Sequence, residues 1–238
     1  MTTPVIESAG WDELWKKNML SYTKGAPRTG VFLLRLFPNA RTYLELGAGS
    51  ARDSFYLSQL GKAATASDFS PEAVEQWPEI YSQDFRGRQI DVFDMDAPDA
   101  AFDVTFHNGL YVLLDNDQIR RAIVEQRRVT RQAMVIIVHN KRNTRLVRAF
   151  EALSETDPLF RIRFFEPEEI MSLVKASGID YSGLSIHKFG GPFDLAYRLL
   201  KTNLRTPHRH RWLGGLASRL YPLTPWPLVE RTATIIRF

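Results

Sequence analysis

The sequence predicts an α/β fold built on a doubly wound, mostly parallel sheet of about seven strands, and three observations predict it. From Ala40 to Val138 short apolar runs alternate with longer amphipathic ones, the pattern left by repeated strand-helix-strand units. Gly47 and Gly49 directly follow one such run and precede a helical one, where the chain must turn sharply. Ala133 to Val138 is a continuous apolar, β-branched run, as a central strand covered on both faces requires.

The elements follow in order. An N-terminal helical arm, Val5 to Lys24, carries Trp11, Leu14, Trp15 and Leu20 at helical spacing and is expected to pack over the domain. Thr42 to Leu46 is the first strand and Asp53 to Leu60 the next helix, closed by Gly61 as its C-cap. Ala63 to Ser67 forms the second strand. Ser70 then caps, and Pro71 opens, a helix running toward Trp77. Gln89 to Phe93 and Phe102 to His107 are the third and fourth strands, with the turn Asp96-Ala97-Pro98-Asp99 between them. Asp117 to Thr130 carries Ile119, Ile123 and Val124 at helical spacing, and Ala133 to Val138 is the fifth strand. A helix from Phe165 to Ser177 opens on Glu166-Pro167-Glu168-Glu169, acidic groups that suit a positive helix N-terminus. Tyr181 to Lys188 and Thr232 to Phe238 alternate as the last two strands. Between them, Phe189 to Arg231 is too long for a hairpin connection and is expected to be an insertion, helical in part.

Composition narrows the classes. With 44% hydrophobic and 24% charged residues among 238, the chain is globular rather than disordered or fibrous. It has no cysteine, which excludes disulfides, thiolate metal sites and a thiol nucleophile. The first 21 residues lack the apolar core and basic flank of a signal peptide, and no apolar run nears the roughly 20 residues of a membrane helix. The expected setting is cytoplasmic. The net charge of +4 is a weak argument for nucleic acid. Basic residues cluster at Arg120 to Arg131, Lys141 to Arg148 and Arg198 to Arg219, the first two reading as solvated helix faces.

The glycine turn is a ligand loop by position, because only residues without a bulky side chain let the backbone approach a ligand closely. Asp68 follows about twenty residues on, at the end of the second strand, where an acid can accept hydrogen bonds from ribose hydroxyls. Together they point to an adenosine-containing ligand. A dinucleotide fingerprint would place a third glycine at the position of Arg52, which disfavours a dehydrogenase.

Glu45, two residues before Gly47, makes Tyr43 to Gly49 resemble the first motif of the class I S-adenosylmethionine-dependent methyltransferases. The resemblance continues in order along most of the chain. Asp68-Phe69-Ser70 resembles that family's ribose-binding motif, Asp94-Met95 the pair that flanks the adenine, and Phe102 to Gly109 the fourth-strand motif that ends beside the methyl group. Phe164 to Ile170 and Ala176 to Ile179 resemble a late helix and turn of small-molecule members. The resemblance implies a Rossmann-like single domain, 1–238, with an N-terminal arm or lid (1–39), a cofactor-binding core (40–188), a cap insertion (189–231) and a last strand (232–238). It also implies S-adenosyl-L-methionine as cofactor, held by Glu45, Gly47, Gly49, Asp68, Phe69, Asp94 and Met95, with Asn108 near the methionine moiety. Two positions depart from the pattern: Ala51 stands where the loop has its third glycine, and Val112 and Leu113 occupy a region that often holds a histidine.

Methyl transfer requires alignment of donor and acceptor and, for a hydroxyl acceptor, removal of a proton. His107, at the rim end of the fourth strand, is the candidate base, the alternative being a histidine that only hydrogen-bonds there. His139, at the end of the fifth strand, is a second candidate. Trp11, Trp15 and Tyr22 could close as a lid or simply dock. The basic, aromatic tract 197–226 reads as a substrate cap, the alternative being peripheral membrane contact. No metal site is expected. The expected reaction is methyl transfer to an oxygen or nitrogen of a small-molecule or glycan-type acceptor. The alternatives are an RNA methyltransferase, for which no RNA-binding module is present, and a non-catalytic cofactor-binding scaffold.

Overall fold

The computed structural model describes residues 8–194 and 207–238. Its strands are β1 (Thr42–Glu45), β2 (Ala63–Asp68), β3 (Arg88–Gln89), β4 (Phe102–Asn108), β5 (Thr130–His139), β6 (Gly183–Phe189) and β7 (Arg231–Arg237). They form one seven-stranded sheet in the order β3-β2-β1-β4-β5-β7-β6. All pairings are parallel except those of β7, which runs antiparallel to β5 and β6. The expected Rossmann-like architecture is therefore present. The described helices are α1 (Ser8–Thr23), α2 (Arg28–Leu36), α3 (Arg52–Gln59), α4 (Pro71–Ile80), α5 (Asn116–Val129), α6 (Thr144–Ser154), α7 (Glu169–Ala176) and α8 (Pro207–Leu220).

Helices cover both faces, and β5 shows why its apolar run is unbroken. Ala133, Val135 and Ile137 point into one cluster with α2, α3 and Tyr221, which follows α8. Met134, Ile136 and Val138 point the opposite way, into a cluster with α5 and α7. Successive side chains leave a strand on opposite faces, so a strand buried twice must be apolar at every position. Burying each such side chain contributes about 1.5–3 kcal/mol. α1 docks through Met19 beside Ala51, Ala66 and Trp77.

Caps fix the helix starts. Ser70 Oγ accepts the Ala73 N–H at 3.2 Å with Pro71 at the first helical position, as the sequence predicts. Asp115 and Gln118 form a reciprocal capping box on α5. Gly61, at φ 76°, ends α3.

Four elements differ from expectation. β3 spans only two residues, because Asp91 Oδ1 accepts the Phe93 N–H at 2.9 Å and turns the chain. The late helix begins at Glu169 rather than Phe165, since Phe165 is extended: its N–H donates to His139 O and its carbonyl accepts the Lys141 N–H, at 2.9 Å each. α2, absent from the expected elements, buries the continuous run Thr29 to Leu34, an apolar stretch whose type periodicity alone does not decide. α6, also absent from them, has no fully buried residue and turns Phe150 toward His139, Phe160 and Phe164.

Of the tract 197–226, residues 197–206 lie outside the described residues. α8 packs Ala217 into the core and exposes Trp212 and Leu216. Among the described residues no helix is long and apolar enough to cross a membrane.

Candidate functional site

The order of the sheet reverses between β1 and β4, the place where open α/β sheets hold ligands at the strands' carboxyl ends. A cleft of about 2220 Å³ opens there. Ordinary small-molecule sites occupy roughly 300–1,000 Å³, so this one has room for two ligands.

Its floor is the turn after β1. Gly47 and Gly49 lie at φ 57° and 52°, backbone that L side chains rarely adopt. A Cβ at Gly49 would also stand 2.5 Å from the Trp15 ring, so the arm rests directly on the loop. Asp68 fastens this turn from β2: Oδ2 accepts the Gly49 N–H at 2.8 Å and Oδ1 the Ser70 N–H at 3.0 Å. Trp77 Nε1 donates to Gly49 O at 2.9 Å. Ala51 occupies the left-handed region at φ 50°, a strain of roughly 1–2 kcal/mol that glycine would avoid.

Carboxylates serve as caps across the site. Glu45 Oε2 accepts the N–H and hydroxyl of Ser54 at 3.0 and 2.6 Å, holding the start of α3. Burial, with Asp53 nearby, pushes the Glu45 carboxyl up to about 8. Asp53 in turn accepts the Gly30 N–H at 2.8 Å, holding the start of α2. Arg52, which replaces the glycine of a dinucleotide loop, donates to Tyr22 O at 2.9 Å and ties α3 to the end of α1.

Glu45, Gly47, Gly49, Asp68, Phe69 and Asn108 all line the cleft. Asp94 and Met95 do not. The early end of β3 puts Asp91, Val92 and Phe93 on the wall instead, and Met95 is buried with its N–H bound to Glu125 Oε1 at 2.8 Å. Asn108 Nδ2 donates to Thr29 Oγ1 at 3.1 Å, while Asn108 Oδ1 is buried without a hydrogen-bond partner.

His107 is not in the cleft, which corrects its expected role. Its ring is fully buried on the α5 side of β4, 4.0 Å centroid to centroid from Tyr111. Neither ring nitrogen has a partner, and burial lowers its pKa to about 3. Adjacent residues of a strand face opposite ways, so the parity that turns Asn108 toward Thr29 turns His107 away.

His139 does line the cleft, beside Gly109 and Phe150. Its Nε2 accepts the Arg231 Nε–H at 3.3 Å across the β5–β7 pairing. Burial first, then Arg231 and Arg28, hold its pKa well below the usual value. The ring is therefore neutral with its proton on Nδ1, which is buried and unpartnered. Its one lone pair is engaged by an arginine that only donates, so His139 presents a hydrogen-bond donor rather than a base.

Sequence reasoning missed Arg28, Asp194 and Arg231, all on the cleft wall. Arg28 Nη1 donates to Asp194 Oδ2 at 2.5 Å and Glu230 Oε2 at 2.8 Å. No periodic signal marks them, since they meet only once β7 pairs with β5. Four members of the first two basic clusters are ion-paired: Arg120 with Asp117, Arg128 with Glu125 and Asp99, Arg131 with Asp103, and Arg142 with Glu166 and Glu168.

Residues 44–133 match a family described as a methyltransferase domain. No curated protein matches the chain. Among solved structures, an S-adenosylmethionine-dependent methyltransferase from Archaeoglobus fulgidus is 14% identical with a TM-score of 0.61, covering 96% of this chain and 98% of that one. The magnesium protoporphyrin IX methyltransferase of Synechocystis PCC 6803, with bound SAH, is 11% identical at a TM-score of 0.54, covering 99% and 89%. Geranyl diphosphate C-methyltransferase from Streptomyces coelicolor, in complex with S-adenosyl-L-homocysteine, is 13% identical at 0.53, covering 88% and 74%. At these identities the likeness is one of fold.

Proposed function

We propose that the chain is an S-adenosylmethionine-dependent methyltransferase of the class I fold, a reading supported by the methyltransferase-domain match over residues 44–133 and by the shared fold, and that it methylates an oxygen or nitrogen of a small-molecule or glycan-type acceptor held in the cleft beyond Asn108. The observation that carries this reading is one continuous cleft, running from the Gly47 to Gly49 turn and Asp68 past Asn108 to His139, Phe150 and Phe160.

The residues present fit the cofactor. Asp68 spends two of about four lone-pair sites on backbone N–H groups and keeps the others for ribose hydroxyls. Asn108 Oδ1 and Trp15 Nε1, buried and without hydrogen-bond partners, supply an acceptor and a donor along the same wall. Asp91 to Phe93 flank the position expected for the adenine. When bound, S-adenosylmethionine supplies an electrophilic methyl group on a sulfonium sulfur.

The protein's own contribution is alignment and exclusion of water, which in such displacements is worth several kcal/mol. α1 covers the loop through Trp15, and Leu110, Leu113 and Leu114 form an apolar wall beside Asn108. Polar groups at the far end, the His139 Nδ1–H and the Tyr22 hydroxyl, support an acceptor bearing oxygen or nitrogen. A cytoplasmic setting belongs to the same reading.

The test is transfer of labelled methyl from S-adenosylmethionine to fractionated cell extract, with Gly49→Arg as control. Label in a small organic fraction that disappears with Gly49→Arg is the expected result. Label confined to RNA would replace the acceptor class, and cofactor binding without turnover on any fraction would favour a scaffold.

A further inference from the structure

The cleft ends on two arginines with different fates. Arg28 is held between Asp194 and Glu230, so its charge is matched within the protein. Arg231 lines the same wall and has no carboxylate within salt-bridge distance among the described residues. Its Nε donates to His139 Nε2, which leaves both Nη groups as donors. His139 is only 7% exposed, and its Nδ1–H has no partner. A buried donor left without an acceptor is costly, and a ligand oxygen would recover that cost. Beside these donors the wall turns apolar: the Phe150 ring lies 5.2 Å from His139 and 5.0 Å from Phe160.

We propose that Arg231 and the His139 Nδ1–H form a receptor for an oxyanion, carboxylate or phosphate, carried by the methyl acceptor on an apolar body that lies against Phe150 and Phe160. Guanidinium and imidazole N–H groups together match the two oxygens of such an anion, and charge-assisted hydrogen bonds are roughly twice as strong as neutral ones. The assignment rests on the methyltransferase reading of the cleft. The rival anion is the cofactor's own carboxylate. The Arg231 guanidinium reaches back within electrostatic range of Arg52 and Asp53 beside the loop, but two features of the fold favour the acceptor side. β7 is the third strand from β1, and at about 4.8 Å per strand its backbone lies some 14 Å from the strand that carries the loop. Phe150 and Phe160 belong to α6 and the segment after it, on the far side of β4 from the loop.

Calorimetry on the protein saturated with S-adenosylhomocysteine separates these sources, using benzoate, benzyl alcohol and inorganic phosphate as probes. Benzoate is expected to bind at least about tenfold more tightly than benzyl alcohol, and phosphate to compete with it. Arg231→Gln should erase that preference while changing S-adenosylhomocysteine affinity less than about twofold, and Arg231→Lys should retain part of it. His139→Leu, which leaves the guanidinium in place, should weaken benzoate severalfold, so the receptor stays testable if Arg231→Gln does not fold. Equal binding of benzoate and benzyl alcohol overturns the receptor. So does an Arg231→Gln protein that loses S-adenosylhomocysteine yet keeps its preference for benzoate. Failure of the unaltered protein to bind S-adenosylhomocysteine overturns the cofactor reading instead, a result distinct from both.

Discussion

The Asp68 carboxylate accepts the Gly49 backbone N–H at 2.8 Å, so the acid that ends β2 fastens the turn that ends β1. The same group accepts the Ser70 N–H, which joins the loop to the start of α4. Asp68→Asn preserves shape but sets an amide NH2 against one of two backbone donors. Stability should fall by about 1–3 kcal/mol and S-adenosylhomocysteine affinity by at least about tenfold. Urea unfolding and calorimetry read the two effects separately. An unchanged affinity would detach Asp68 from the cofactor and leave it a structural clamp.

The contact between Trp15 and Gly49 yields a cycle rather than a single substitution. Gly49→Ala places a methyl 2.5 Å from the Trp15 ring and forces alanine to a φ of 52°. The ring is the far end of a side chain and can yield, whereas the φ cost of roughly 1–2 kcal/mol cannot be relieved. Trp15→Ala should therefore rescue only part of the loss. The coupling between the two, measured by unfolding of single and double variants, is expected at about 0.5–3 kcal/mol. Additive losses would mean that α1 does not bear on the loop.

Glu45 gives a pH dependence of unusual sign. Its native pKa, about 8, lies above the ordinary 4.5, so between these values the folded state binds more protons than the unfolded one. Stability then falls as pH rises through that window. The substitution Glu45→Gln keeps an acceptor for Ser54 and carries no charge beside Asp53. The unfolding midpoint of this variant should gain on the unaltered protein from about pH 5 to about pH 9. Parallel profiles would show Glu45 to be ionised throughout.

These three sites also mark what is legible in the sequence alone. The glycine turn, Asp68 and the strand succession can be read because backbone conformation and period-two burial leave direct traces in residue type. Asp91 to Phe93, rather than Asp94-Met95, line the cleft because an aspartate turn, not a loss of β propensity, ends β3 at Gln89. His107 and Asn108 are adjacent, and nothing local says which of them faces the cleft. Only the pairing of Asn108 with Thr29 on the unread helix α2 decides it. Arg231 is illegible for a related reason: its contact with His139 on the cleft wall depends on an antiparallel register set across ninety-odd residues of chain.

His107 should prove dispensable to turnover. Its pKa of about 3 lies below the ordinary 6.5, so on acidification the unfolded state gains a proton first and the native state loses stability from about pH 6.5 downward. His107→Leu, of similar volume, removes two unpartnered nitrogens from the core. At pH 7 its stability should lie within about 1.5 kcal/mol of the unaltered protein, its acid limb should be shallower, and kcat should change by less than about twofold. A loss of kcat near a hundredfold with native stability would restore His107 as the base.

The tautomer of His139 is open to direct observation. With Nε2 engaged by Arg231, the proton belongs on Nδ1, and two neighbouring guanidiniums oppose a second proton. Nitrogen-15 spectra of labelled histidine should show one ring fixed as the Nδ1–H form, with no titration from about pH 5 to about pH 8. Arg231→Gln should release that constraint, mixing the tautomers and raising the pKa toward its ordinary range. The pH profile of kcat/KM should accordingly show no limb from His139 in the unaltered protein. A limb near pH 6.5 that moves in His139→Gln would mean that the ring does cycle its proton during turnover, and the donor role would give way to that of a base.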